Sequence, residues 1–157
     1  MVMTRPFEVG VVVRDLEPME RFYCGALGCR AEHRSRVPES VGGPAGLGGA
    51  LDVVWLRVPS GGCVKLILPR SDQVSVPAPV SAVPSPAGRP GLSYLTFHLD
   101  DVDPVVAALA AAGARPLSDP VVVLARGRRI SFWADPEGNV VELVDARGGN
   151  PGPGHSN

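Results

Sequence analysis

The sequence predicts an α+β protein built from two similar modules, and three observations carry that expectation. An alternating apolar strand followed by an amphipathic helix and then further strands occurs twice along the 157 residues. A Pro-rich stretch at 69–91 separates the two occurrences. Apolar runs of strand length, bounded by Gly, Pro or Asp, follow each helix. A chain of this length, 45% hydrophobic and 20% charged, supports one domain with a substantial core or two small modules sharing one.

The elements follow in order. FEVGVVV (7–13) alternates, with Phe7, Val9, Val11 and Val13 expected on one face and Glu8, Gly10 and Val12 on the other. Asp15 is placed to cap LEPMERFYCGALG, where Leu16, Met19, Phe22 or Tyr23, and Leu27 recur at helical spacing before Gly28. Gly and Pro crowd PESVGGPAGLGG (38–49), which reads as a loop. DVVWLRV (52–58) and CVKLIL (63–68) read as a hairpin closed by PSGG. After the linker, LSYLTFHLDD repeats the opening strand, and DVDPVVAALAAAGA is an Ala-rich helix that Gly113 closes. A strand near 120–124, then RRISFWA and NVVELVD around the turn DPEG, complete the second half. The expected organisation is a module over 5–68, the linker 69–91, a module over 92–146 and a disordered tail 147–157.

Composition narrows the partners. A net charge of −1, with no basic run interleaved with aromatics, gives no footprint for nucleic acid or an anionic membrane. No apolar run approaches the roughly 20 residues of a membrane span, and MVMTRPFEVG lacks a signal peptide's regions, so a cytoplasmic location is expected. Cys24, Cys29 and Cys63 form neither an even framework nor a C-x-x-C pair, and are expected as small apolar residues. A small-molecule partner is favoured. One residue stands out: Lys65, in an apolar strand, is the single lysine beside fourteen arginines.

VVVRDLEPMERFYCGALG, LTFHLDDVDPVVAALAAAGA and FWADPEGNVVELV resemble the vicinal oxygen chelate superfamily, which includes glyoxalase I, methylmalonyl-CoA epimerase, extradiol dioxygenases and bleomycin-resistance proteins. The resemblance spans residues 6–145. It implies two βαβββ modules whose mixed sheets curl around a ligand cavity, and, in the metal enzymes, one divalent ion held by side chains from the first and last strand of each module. A homodimer is expected as well.

Carried over position by position, the ligand places fall on Glu8, Lys65, Tyr94 and Glu142. Two carboxylates fit a metal, but an ammonium has no lone pair to donate and repels a cation. The expectation is therefore a site with no metal and no cofactor, in which Lys65 between Glu8 and Glu142 replaces the ion electrostatically. A two-carboxylate metal site with Tyr94 or water is the alternative. Lys65 would serve as oxyanion donor, Glu8 or Glu142 as proton carrier and Tyr94 as donor or acid. The competing view makes Lys65 an internal salt bridge that touches no ligand. Trp55, Ile67 and Thr96 are expected as cavity lining, and His98 either as cavity lining or as an ordinary partly exposed histidine near the strand end. One of Phe132 and Trp133 points inward, and Arg57 points either inward toward an anion or outward to solvent.

The expected function is metal-independent binding of a small oxygen-rich metabolite, with isomerisation, epimerisation, cyclisation or elimination by proton transfer. Sequestration of a drug or metabolite without turnover, as in bleomycin-resistance proteins, is the rival. A metal-dependent lyase or isomerase of the glyoxalase or epimerase type is the third reading.

Overall fold

The computed structural model describes residues 6–70, 91–119 and 121–145. Most of the expected linker and all of the expected tail lie outside the described residues. The chain divides into two units, the first described over 6–70 together with the turn Pro136–Gly138 and the second over the remaining residues.

In the first unit, β1 (Glu8–Val12) leads into α1 (Leu16–Glu20), which continues over Arg21–Ala26 in wider i→i+5 turns. Asp15 is the cap, its extended backbone (φ −145°) letting the carboxylate accept from the N–H of Glu17 at 3.1 Å. Gly28, at φ 68°, ends the segment, as a residue without Cβ readily does. Strands β2 (Arg30–Val37), β3 (Leu51–Arg57) and β4 (Cys63–Pro69) complete a sheet of order β1-β4-β3-β2, with β1 parallel to β4 and the other pairs antiparallel. One face, carrying Val11, Val13, Val54, Leu56, Val64 and Leu66, is buried together with Met19, Phe22 and Tyr23 of the helical segment. Burying each such side chain contributes roughly 1.5–3 kcal/mol. Glu8, Lys65 and Trp55 occupy the helix-free face because strand parity leaves them no other.

Three expectations change here. Phe7 lies outside β1 and is 74% exposed, so the apolar face begins at Val9. Residues 30–37 form a strand that the sequence pattern did not announce, because an exposed edge strand has no buried face to impose alternation. Within 38–49 lies a short helix, α2 (Glu39–Gly42), and a Cβ on its last residue would stand 1.8 Å from the carbonyl oxygen of Gly49, so only glycine fits.

The second unit repeats the plan. β5 (Tyr94–Leu99), α3 (Asp103–Ala111), β6 (Arg115–Pro116), β7 (Val122–Val123), β8 (Arg129–Ala134) and β9 (Val140–Asp145) form a sheet of order β5-β9-β8-β6, with β7 also paired to β8. The strand expected at 120–124 is thus only two residues long. Phe97, Val102, Leu109, Trp133, Val141 and Leu143 form the buried side. Asp145, 1% exposed, accepts from the N–H of Val102 at 2.9 Å and pairs with Arg129. Arg129 also reaches Asp101 at 3.1 Å and Asp103 at 2.9 Å, which binds the last strand to the start of α3. These anions hold the guanidinium well above its ordinary pKa, the hydrogen bond to Asp145 contributing most. Among the described residues no helix is long and apolar enough to cross a membrane.

Candidate functional site

The helix-free face of each sheet carries a row of register partners, and the two rows are equivalent in the repeat. In the first unit the row runs Gly10, Lys65, Trp55, His33 across β1, β4, β3 and β2. In the second it runs Thr96, Glu142, Phe132 across β5, β9 and β8. Lys65 and Glu142 therefore hold the same place in their sheets with opposite charge, Trp55 matches Phe132, and one pleat away Glu8 matches Tyr94.

Glu8 pairs in register with Cys63, and its carboxylate reaches diagonally to the ammonium of Lys65, with Oε2 3.1 Å from Nζ. Both side chains are partly open to solvent, at 37% and 31%. Gly10, the register neighbour of Lys65 on β1, contributes no side chain to the row. A Cβ there would stand 3.1 Å from the Cδ1 of Ile67, which lies on the same face of the sheet. Arg57 pairs with Glu32 at 2.8 Å, and the hydrogen bond from Arg57 holds the Glu32 carboxyl below its ordinary range. Glu32 is the residue left without a register partner where β2 shifts between Ala31 and His33. The imidazole of His33 packs on Trp55 with ring centroids 4.9 Å apart and planes tilted by 49°. Cys63 beside Glu8 is buried, and burial, reinforced by the Glu8 charge, pushes its thiol pKa up.

In the second unit Thr96 donates its hydroxyl to Glu142 Oε2 at 2.6 Å. This fixes the carboxylate orientation and leaves Oε1 for another partner. Tyr94 meets Phe132 edge to face at 5.5 Å and 82°. His98 lies two residues beyond Thr96 on the same face, in register with Val144, and is exposed. Trp133 belongs to the opposite face: it is 2% exposed and its Nε1 donates to Ser131 Oγ at 2.7 Å. Trp133 is a core residue and not part of the cavity lining, because neighbouring residues on a strand face opposite ways; Phe132 is the member of that pair on the helix-free face. Sequence reasoning missed His33 and Glu32, both on the unannounced β2. Among the described residues no group of three or more His, Cys, Asp or Glu is placed to hold a metal ion.

Two βαβββ units, each with a parallel first and last strand and charged residues on its helix-free face, define the paired glyoxalase-like fold. The chain belongs to the Glyoxalase/Bleomycin resistance protein/Dioxygenase superfamily, whose family model matches residues 7–132. Among solved structures, a glyoxalase family protein from Bacillus cereus is 22% identical with a TM-score of 0.78, covering 92% of this chain and 95% of that one. A glyoxylase/bleomycin resistance protein/dioxygenase domain from Frankia sp. EAN1pec is 22% identical with a TM-score of 0.67, covering 98% of each chain. The trypanothione-dependent glyoxalase I of Leishmania major is 18% identical with a TM-score of 0.62, covering 92% of this chain and 88% of that one. At these identities the structural likenesses bear on fold alone. No curated protein matches the sequence significantly.

Proposed function

We propose that this chain binds a small oxygen-rich metabolite and moves a proton on it without the divalent ion used by metal enzymes of its superfamily. The observation that carries the reading is the Lys65–Glu8 ion pair at two of the four family ligand positions. The donor set does not fit a metal: Lys65 Nζ has no lone pair and already neutralises the carboxylate that would be a ligand, while Glu142 Oε2 accepts from Thr96. What remains is an acid/base and oxyanion set made of the chain's own side chains.

In this reading Glu142 accepts the proton of a C–H bond adjacent to a carbonyl. The bonding pair moves onto the carbonyl oxygen, and Lys65, held by Glu8 at 3.1 Å, is the chain's cationic donor for such an oxyanion. Returning the proton to a different carbon or face completes an isomerisation or epimerisation, and expulsion of a β-leaving group completes an elimination. In the isomerisation Glu142 gives back the proton it took, and in the elimination Tyr94 protonates the departing group. Positioned acid/base groups contribute about 10²–10⁴-fold, so Glu142→Gln should lose activity on that scale.

The test is exchange of C–H for deuterium in D₂O across a panel of enolisable keto acids and esters, followed by NMR for wild type and Glu142→Gln. Exchange that depends on Glu142 supports the reading, and equal exchange by both proteins refutes it. Stoichiometric divalent metal in protein purified without chelator, with activity lost on chelation, would overturn the metal-independent part. A second reading, sequestration without turnover, is favoured by the aromatic surface of Trp55 with His33 and of Tyr94 with Phe132. Ligands that bind tightly yet never exchange would establish it.

A further inference from the structure

The helix-free face of the first sheet holds more than proton transfer requires. Trp55 stands in one row between Lys65 and His33, and the imidazole is packed on the indole at 4.9 Å. Adjacent strands are about 4.8 Å apart, so the three residues span roughly 10 Å, the length of one or two fused rings. Lys65 has three N–H donors, and Glu8 is its one carboxylate partner in the described contacts. Both carboxylates on this face are already engaged, Glu8 by Lys65 and Glu32 by Arg57. Among the described residues of this sheet face, a cationic ring would find no unpaired carboxylate. An anionic oxygen would find the remaining donors of the ammonium one strand spacing from the indole.

We propose that this row is a platform for a planar ring bearing an anionic oxygen, the ring lying against Trp55 and His33 and the carboxylate or enolate oxygen bonded to Lys65. The proposal rests on reading Lys65 as a fixed cation and gives the substrate class: an aromatic or conjugated cyclic acid. A ring with a directly attached carboxylate matches the one-strand separation of the two contacts. His33 is a positioning residue that holds the indole plane.

The experiment uses the full chain with 2-naphthoate, 2-naphthylmethylammonium and decalin-2-carboxylate as planar anion, planar cation and non-planar anion. Binding is read by calorimetry and by tryptophan emission. Trp133→Phe removes the buried indole, leaving Trp55 as the sole reporter among the two tryptophans. The proposal expects 2-naphthoate to bind at least tenfold more tightly than either comparison compound, and to quench Trp55. Lys65→Met and Trp55→Leu should each weaken it tenfold or more, His33→Ala severalfold, and Lys65→Arg should retain most of the affinity while showing that the site still folds. Equal binding of planar and saturated acids, unchanged affinity in Lys65→Met, or no 2-naphthoate binding at millimolar concentration would each overturn it. Failure here with Glu142-dependent deuterium exchange intact removes the ligand class and leaves the proton-transfer reading. Naphthoate binding with exchange indifferent to Glu142 does the reverse.

Discussion

Lys65→Met separates a lysine that serves a ligand from one that merely ties two strands together. The substitution deletes an ion pair of 3.1 Å whose partners are 31% and 37% exposed. A pair so open to solvent is screened and contributes about 1 kcal/mol at most. Methionine preserves much of the apolar stem, so little packing is lost with the charge. The expected cost in urea unfolding is therefore below about 1 kcal/mol with an unchanged m-value, equivalent to a Tm shift of no more than roughly 2–4 °C for a chain of this size. Function should respond far more strongly, since removing one oxyanion donor costs about 10²–10³ in turnover. A variant that lost 3 kcal/mol or more while keeping deuterium exchange and naphthoate affinity would refute the functional assignment and make Lys65 a structural salt bridge.

Thr96→Val should lower Glu142-dependent exchange about tenfold with little change in stability, because it removes the 2.6 Å bond that orients the carboxylate but no core contact. Asp145→Ala leaves the N–H of Val102 without its buried acceptor, a loss of about 1–3 kcal/mol before the stranded Arg129 is counted, visible as a lowered urea midpoint. Cys29, 3% exposed, has its thiol pushed by burial to about 12 from 9.0. Between those values the unfolded chain releases this proton and the folded chain keeps it, so stability falls as pH rises from about 9 toward 12. Cys29→Ala should flatten that alkaline limb in pH-dependent unfolding, and an unchanged limb would exclude this thiol as its origin.

How far the sequence reveals this site depends on whether a residue's place leaves a periodic trace. β1, β3, β4, β5, α3 and β8 bury at least one side, so alternation or helical spacing marked each of them, and β9, buried on both faces, showed as a short apolar run after the turn. β2 buries neither side of RAEHRSRV, and its strand form comes only from the ladder with β3, which no local pattern encodes. No local pattern therefore marks His33, although it packs on Trp55. The same reason explains Trp133: RISFWA shows that Phe132 and Trp133 face opposite ways but not which faces inward, and the hydrogen bond to Ser131 on the buried side decides it.

Lys65 lay between these cases. Its strand and face were legible from CVKLIL, and the family resemblance put Glu8 beside it; the route of the contact was not legible, because Glu8 lies opposite Cys63 and reaches Lys65 only along the diagonal of a parallel pair. That diagonal matters to the chemistry. A carboxylate directly opposite, in the place of Gly10, would sit across the ammonium from the adjacent strand, whereas Glu8 engages it from one pleat away and Gly10 leaves its neighbouring position without a side chain. Gly10→Ser probes this arrangement: a hydroxyl beside Lys65 supplies an intramolecular acceptor where a ligand oxygen is expected to bind. Naphthoate affinity should fall severalfold while the Lys65–Glu8 pair persists, whereas undiminished affinity would show that the ligand approaches the ammonium from elsewhere.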